Sequence, residues 1–123
     1  MEQLIIDGRL PGLNEFIAAE RSNRYKGASM KRDAQRFVAY AIRAQMRGVR
    51  YTRPIRLHYI FFEPNKKRDH DNVSGFAHKV IQDALVECSV INDDGWDEIL
   101  GYSDDFIIDR KNPRIVVEIE EVM

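Results

Sequence analysis

Hydrophobic positions along the chain recur with two different spacings, and these spacings predict the secondary structure. Apolar residues return at three- and four-residue steps over residues 30–42 and again over 73–85, which predicts two amphipathic helices. We expect Ser29 to cap the first helix, and Asp71 or Asn72 to cap the second, because short polar side chains accept hydrogen bonds from free helical N–H groups. The two helices are therefore the main predicted elements.

Four stretches rich in β-branched and aromatic residues predict strands, at residues 4–6, 55–63, 99–109 and 114–121. The second is apolar on both faces, so we place it at the centre of the sheet. Residues 13–28 are polar and basic with little periodicity, and they predict a short helix or loop that either lies on a phosphate backbone or is merely solvated. The order β-α-β-α-β-β indicates one α+β domain over residues 1–123, with two main helices packed on a mixed β-sheet.

Length and composition are those of one folded domain, with 123 residues, 44% hydrophobic and 32% charged. No apolar run is long enough to span a bilayer and the N-terminus does not resemble a secretory signal, so we expect a cytoplasmic protein without membrane attachment. The single cysteine, Cys88, excludes an intramolecular disulfide. We expect it to be a small buried side chain near a helix end, and the alternative is a catalytic thiol.

Charge is distributed unevenly along the chain. Residues 1–68 hold 15 Lys and Arg against 6 Asp and Glu, a net +9, whereas residues 69–123 hold 4 against 14, a net −10. A basic surface beside an acidic one suits a metal-dependent nuclease, because cations attract phosphates while carboxylates hold a metal ion. From charge alone, two solvated faces whose charges offset each other are the simpler interpretation. The polar face of the first predicted helix carries Lys31, Arg32, Arg36, Arg43 and Arg47.

Two pairs of aspartates flank the second predicted helix. Asp69 and Asp71 precede it, and Asp93 and Asp94 follow it. One or two carboxylates, completed by water and phosphate oxygens, are what Mg²⁺ prefers, and Mn²⁺ could substitute. A metal ion bound there would activate water for phosphodiester hydrolysis. Each pair by itself is equally explained as a helix cap or a solvated acidic turn.

Lys79 lies between the two acidic pairs and is a candidate for neutralising charge in a transition state. It is about 12 Å beyond Asp71 along a helix, and we expect its stem to lean back toward Asp71. His70 and His78 are also nearby. Because oxygen-ligated Mg²⁺ sites rarely use imidazole, we do not expect either histidine to be a ligand.

These residues together resemble the core motif of the RusA-type Holliday junction resolvases. The resemblance rests on the run Arg68-Asp69-His70-Asp71-Asn72, on a helix that contains Lys79 and ends Gln82-Asp83-Ala84-Leu85, and on Asn92-Asp93-Asp94. The order of elements and the short length also fit. The shorter family pattern has a lysine four residues after the second aspartate, where this chain has Gly75. Alignment on Asp83-Ala84-Leu85 puts Lys79 at the lysine position and implies one extra helical turn.

The resemblance implies a homodimer that binds a four-way DNA junction and, with Mg²⁺, nicks two opposed strands during recombination and repair. It implies that Asp69, Asp71 and Asp94 hold the metal, with Asp93 beside them and Lys79 as the catalytic lysine. Together with the basic residues of 13–28, it predicts a set of DNA-contacting residues: Asn14, Arg24, Lys26, Lys66, Lys67 and Arg68.

Three alternatives stay open at this point. The first is a nuclease for flaps and replication forks, which would differ in substrate preference. The second is a non-catalytic protein that binds branched DNA and keeps its aspartates as helix caps, and it would show no metal-dependent cut. The third is a protein-interaction domain, which would not retain DNA even at low salt.

Overall fold

The computed structural model describes residues 2–122, which form three helices and one four-stranded sheet. The strands are β1 (Glu2–Asp7), β2 (Ile55–Glu63), β3 (Ile99–Ile108) and β4 (Arg114–Glu121). The helices are α1 (Leu13–Ser22), α2 (Arg24–Gln45) and α3 (His70–Glu87). The predicted α+β class and mixed sheet are confirmed, and the element order differs only by the additional helix α1.

The sheet has the strand order β1-β4-β2-β3. β4 is antiparallel to both of its neighbours, whereas β2 and β3 are parallel and are connected through α3. The position of β2 between β4 and β3 confirms the prediction of a central strand. Because α3 carries the chain back along the sheet between two parallel strands, its N-terminus lies beside the end of β2 and its C-terminus beside the start of β3.

One hydrophobic core lies between the sheet and its helices. Alternate side chains of β2, including Leu57, Tyr59 and Phe61, point inward and are at most 2% exposed. They pack against the apolar faces of α2 and α3 in a single cluster. The intervening residues of β2 are exposed or half-buried, as expected for a sheet that is covered on one face.

Residues 13–28 form all of α1 and the first five residues of α2, so the helical alternative of the prediction is the correct one. α1 has no fully buried residue, and its apolar stripe is limited to Leu13, Phe16 and Ile17, which are half-buried. α2 begins at Arg24, and the side chain of Asn23 caps it by accepting the N–H of Tyr25 at 2.7 Å. The prediction that Ser29 is the cap is therefore wrong, and Ser29 lies inside the helix.

The cap of α3 also differs from the prediction. Asp69, not Asp71 or Asn72, is the capping residue, and its carboxylate accepts the backbone N–H of Asn72 at 2.8 Å. Asp69 has an extended backbone, which is the conformation that a capping residue requires. Asp71 lies in the first helical turn, and its side chain is not used by the cap.

The far end of α3 contains Cys88, which lies at the C-cap and is half-buried. Burial raises the pKa of its thiol, so the thiol is protonated near neutral pH and is a poor nucleophile. The expected structural role of Cys88 is thus favoured over the catalytic one. Over residues 2–122, no helix is both long and apolar enough to cross a bilayer.

Candidate active site

The acidic motif follows a loop that is held by a buried carboxylate. Glu63, the last residue of β2, is 7% exposed and accepts hydrogen bonds from two arginines. Arg9 reaches it at 2.8 and 3.2 Å, and Arg68 approaches it at 3.2 Å. Arg68 also donates to the carbonyl of Leu10 at 3.3 Å. This network fixes both ends of the loop between β2 and α3.

Asp69 and Asp71 lie together at a cleft beside the N-terminus of α3. The cleft has a volume of about 720 Å³, and Lys66 and Phe106 also line it. Both aspartates are exposed, and one oxygen of Asp69 is used for the cap. Within residues 2–122 the carboxylate of Asp71 makes no hydrogen bond or ion pair with a side chain. The first turn of the helix supplies partial positive charge, which favours carboxylates at this position.

The start of α1 docks directly on the acidic motif. The side chain of Asn72 accepts the backbone N–H of Asn14 at 2.9 Å. Gly12 lies so close that a Cβ there would be 2.6 Å from Asn72 Oδ1 and 2.9 Å from Arg68 Nη1. The structure therefore brings Asn14 next to the acidic motif, although the two asparagines are 58 residues apart.

Gly75 lies one turn further along α3, at the same contact between α1 and α3. A Cβ at Gly75 would be 2.9 Å from Leu13 Cδ2, and the neighbouring rings of Phe16 and Phe76 have centroids 4.5 Å apart. α1 thus covers position 75, where the shorter family motif has a lysine. A long charged side chain at that position would displace α1.

Both histidines near the motif have partners within the protein. The ring of His70 lies flat on Phe106, with centroids 4.0 Å apart and an interplanar angle of 2°. His78 shares a hydrogen bond of 2.7 Å with Asp104. Asp104 and Phe106 were not among the residues predicted for the site. The signal that could have found them is their spacing two residues apart on β3, which puts both side chains on the face that packs against α3.

Lys79 does not lean toward Asp71 as we expected. Its ammonium lies 3.1 Å from Asp83 and 3.6 Å from Asp94, on the C-terminal side of its own position. The hydrogen bond to Asp83 raises the pKa of Lys79, with a smaller contribution from the charge of Asp94. Lys31 of α2 also contacts Asp83, at 2.7 Å. The acidic and basic groups in this half of α3 are therefore mutually neutralised.

The four predicted metal-ligating aspartates form two separate groups. Asp94 lies beside Lys79, whose position is about 12 Å along α3 from Asp71 by the helical rise. Asp93 is adjacent and accepts the backbone N–H of Asp94 at 2.8 Å. In the described part of the chain, no three Asp, Glu, His or Cys side chains converge as a metal-binding group. A single copy therefore brings together Asp69 and Asp71 only.

The other predicted DNA-contacting residues lie at two places. Lys66 and Lys67 are exposed on the loop before α3, next to the cleft. Arg24 and Lys26 are exposed at the start of α2, and Arg24 lies 5.0 Å over the ring of Tyr25. This second group follows α1, whereas Asn14 lies at the start of that helix.

Comparison with known families agrees with this arrangement. Residues 11–120 match the family model of the endodeoxyribonuclease RusA. No curated protein matches the chain significantly. The family match covers all three helices, the aspartate motif, β2, β3 and all but the last residue of β4. The chain therefore belongs to the RusA family of Holliday-junction-resolving endodeoxyribonucleases.

Proposed function

We propose that this enzyme resolves four-way DNA junctions in the cytoplasm as a homodimer, by paired Mg²⁺-dependent nicks during recombination and repair. The observation that carries the proposal is the exposed pair Asp69 and Asp71 at the cleft, which no cationic side chain within residues 2–122 neutralises. An acidic pair at the start of a helix, with lysines on the adjoining loop, can hold a metal ion while the lysines attract phosphates.

The donor set of the cleft fits a hard divalent cation. Asp71 offers a carboxylate without competing partners, and Asp69 offers the oxygen that its cap does not use. Mg²⁺ commonly binds one or two carboxylates and completes its octahedron with waters and substrate phosphates, and Mn²⁺ has similar preferences. When bound, the ion supplies an activated water and offsets charge on the leaving oxygen. Asp93 and Asp94 lie apart from this cleft within one copy, and their role as further ligands stays a prediction from the sequence.

The other residues near the cleft have two proposed roles, which are phosphate binding and positioning of the loop before α3. Lys66 and Lys67 are exposed on the loop before α3, where they can attract the phosphates that flank the cut, and Asn14 lies beside Asn72 in the first turn of α3. Arg68 is mostly occupied with Glu63, and its side chain is only 14% exposed. We therefore assign Arg68 to holding the loop in place, with DNA contact as a lesser role.

Arg24 and Lys26 extend the proposed DNA surface away from the cleft. They lie at the start of α2, whereas Asn14 lies at the start of α1 beside the acidic motif. Substitution of either should weaken junction binding and flatten its salt dependence without changing the metal requirement. Lys79 is assigned to neutralising developing charge next to Asp94.

The test of the proposed function is Asp71→Asn, assayed on a labelled four-way junction with EDTA and with Mg²⁺. We expect cleavage to fall on the order of 100-fold or more, the size seen when a group that stabilises transition-state charge is removed. Junction binding in EDTA should persist, because a carboxylate repels phosphate and its loss removes no attractive contact with DNA. The matched control is Asp33→Asn, an exposed aspartate on α2.

Undiminished cleavage by Asp71→Asn would refute the site assignment. Binding without any metal-dependent cut in the wild-type protein would favour a non-catalytic junction-binding protein. A fork and a flap substrate on the same gel test whether cleavage is specific for four-way junctions. Nicks that are not paired across the junction would count against resolution.

A further inference from the structure

The outer face of α2 has no role in the core or in the proposed active site. The inner face of this helix packs into the core through Val38, Ala39 and Ile42, which are at most 1% exposed. The side chains on the opposite face are exposed along the length of the helix. Because the inner face is firmly packed, α2 presents the side chains of its outer face on a rigid support.

Arginines and tyrosines are interleaved along this outer face. Tyr25, Arg32, Arg36, Tyr40 and Arg43 follow one another at steps of seven, four, four and three residues, which puts them on one side of the helix. All five are exposed, and the two tyrosines are exposed by 69% and 76%. We call these five residues the α2 row, and by the helical rise the row is about 27 Å long.

The α2 row lies on a strongly positive helix. α2 contains six lysines and arginines against one acidic residue, Asp33. Arg43 contacts Glu87 at 3.2 Å, whereas within residues 2–122 neither Arg32 nor Arg36 has an acidic partner. Arginines of this kind attract phosphates, and their planar guanidinium groups also stack on flat rings. The charge of the row therefore fits a polyanion.

The tyrosine rings of the row are not used for packing. Arg24 lies 5.0 Å over the ring of Tyr25 and donates to its hydroxyl at 3.0 Å, so this ring is held in place while its other face stays exposed. Tyr40 lies outside the apolar cluster of the core. An unpaired nucleobase stacks on such a ring, because its flat face is then free. In a duplex the bases stack on each other and are not available.

An apolar groove adjoins the row between α1 and α2. It has a volume of about 620 Å³ and is lined by Leu10, Met30 and Phe37, together with Lys26. Phe37 directly follows an arginine of the row and is 50% exposed. Bases can enter a groove of this kind only from an unpaired strand, since those of a duplex are already paired and stacked.

We propose that the outer face of α2 binds an unpaired DNA strand, with the arginines of the α2 row on its phosphates and the two tyrosines stacked on its bases. Arginines alone would be sufficient for a duplex, whereas the exposed rings and the apolar groove suit free bases. The inference goes beyond the proposed function, because this binding requires neither the aspartates of the cleft nor a metal ion. The surface would hold a single-stranded segment of branched DNA outside the cleft.

The first test is Tyr40→Ala, measured by fluorescence anisotropy in EDTA with a labelled oligothymidylate of about 20 nucleotides. We expect binding to weaken about tenfold, the size of the loss of one stacked base. Tyr40→Phe is the matched control and should bind like the wild type, because it keeps the ring. Binding of a duplex of the same length should change less than about twofold in Tyr40→Ala. Tyr25→Ala is a second variant with the same expected direction.

The second test removes charge from the row. The double variant Arg32→Ala with Arg36→Ala should lower the slope of log affinity against log salt for the oligothymidylate by about 1.4, since each phosphate contact on a single strand contributes about 0.7. Its matched control is Arg110→Ala with Lys111→Ala, which removes the same charge from exposed positions between β3 and β4. The slope of the control should equal that of the wild type.

Three results would overturn the proposal. The first is normal oligothymidylate binding by Tyr40→Ala. The second is an equal loss of duplex binding in that variant, which would mean that the ring does not stack on free bases. The third is an equal loss of binding to labelled polyglutamate, which would identify an acidic peptide as the ligand. Equal slopes of the two charge variants would likewise place the phosphates elsewhere.

The same assays separate this proposal from the proposed function. Asp71→Asn should bind the oligothymidylate like the wild type, because the cleft takes no part in this binding. Tyr40→Ala should keep metal-dependent cleavage of a four-way junction at saturating protein. Undiminished cleavage by Asp71→Asn contradicts only the metal site, whereas loss of oligothymidylate binding in Asp71→Asn contradicts only the location on α2.

Discussion

The carboxylates at the two ends of α3 have opposite electrostatic surroundings. In the C-terminal half, Asp83 contacts both Lys31 and Lys79. In the N-terminal turn, Asp69 and Asp71 are exposed, and the nearby arginine Arg68 is directed backward onto Glu63. Cations thus neutralise one group and leave the other negative. A region that retains its negative charge attracts a metal ion, whereas a neutralised region stabilises the packing of helices.

The largest expected effect comes from removing the carboxylate that keeps the arginines away from the cleft. Glu63→Ala should destabilise the protein by about 3 kcal/mol, because breaking a buried ion pair leaves an uncompensated charge. Arg68 would then be able to turn toward Asp69 and Asp71, so metal affinity should also fall. Urea denaturation measures the first effect, and the Mg²⁺ dependence of cleavage measures the second.

Glu63→Gln is the matched control, since it keeps the shape and the hydrogen-bond acceptor but removes the charge. It should lose less stability than Glu63→Ala. Equal stability of Glu63→Ala and the wild type would show that the arginine network does not hold the loop.

A smaller effect is expected where α1 docks on the motif. Gly12→Ala places a methyl group against Asn72 and Arg68, at distances of 2.6 and 2.9 Å that are too short to tolerate. We expect a loss of about 2 kcal/mol, as for overpacked sites, together with reduced cleavage because Asn72 must move. Thermal unfolding and the junction assay report the two effects.

Gly75→Ala gives the comparison within the same helix contact. Its methyl group would meet the flexible end of Leu13 at 2.9 Å, and alanine favours the helix more than glycine does. The stability change should therefore be smaller than that of Gly12→Ala. The reverse order would mean that the Leu13 contact, not the Asn72 contact, limits the approach of α1.

The smallest effect is expected in the neutralised half of α3. Burial raises the pKa of Asp83, but hydrogen bonds from Lys31 and Lys79 outweigh it and bring the pKa below the ordinary value of 3.8. Asp83→Asn should cost about 1 kcal/mol at neutral pH, the size of a partly exposed charged hydrogen bond. Cleavage should change less than for Asp71→Asn.

The pH dependence of the stability difference tests whether the ionised form of Asp83 is its source. A carboxyl whose pKa is lowered by folding contributes stability that is present above its unfolded pKa and is lost as the pH falls through its folded pKa. The difference between wild type and Asp83→Asn should therefore be constant from neutral pH to about pH 5 and disappear in stronger acid. A difference that does not change with pH would exclude the ionised Asp83 as its source.

The sequence predicted the elements whose residues repeat regularly. The apolar period of α3 and the β-branched run of β2 were sufficient, since each of these elements buries one continuous face. α1 was not predicted as a definite helix, because it lies on the surface with no fully buried residue. Its stability comes from contacts with α3, including the pair Phe16 and Phe76.

The order of carboxylates around α3 was also visible in the sequence, together with the family resemblance that residues 11–120 now bear out. Their spatial arrangement was not visible. Which aspartate caps α3 depends on local backbone geometry, and the capping hydrogen bond from Asn72 to Asp69 identifies it. Whether Asp94 approaches Asp71 depends on the path of the loop after α3, for which the sequence carries no periodic signal.

The sequence by itself determined the class of fold, the central strand and the set of candidate chemical groups, because these follow from local spacing and residue type. The tertiary structure decided which groups meet. Glu63 pairs with Arg9 across 54 residues, and Asn72 accepts from Asn14 across 58. Such contacts are fixed only when the sheet and helices pack together, since their energy depends on distances that no local pattern contains. The hydrogen bonds between the side chain of Gln45 and the backbone of Ile5, across 40 residues, are of the same kind.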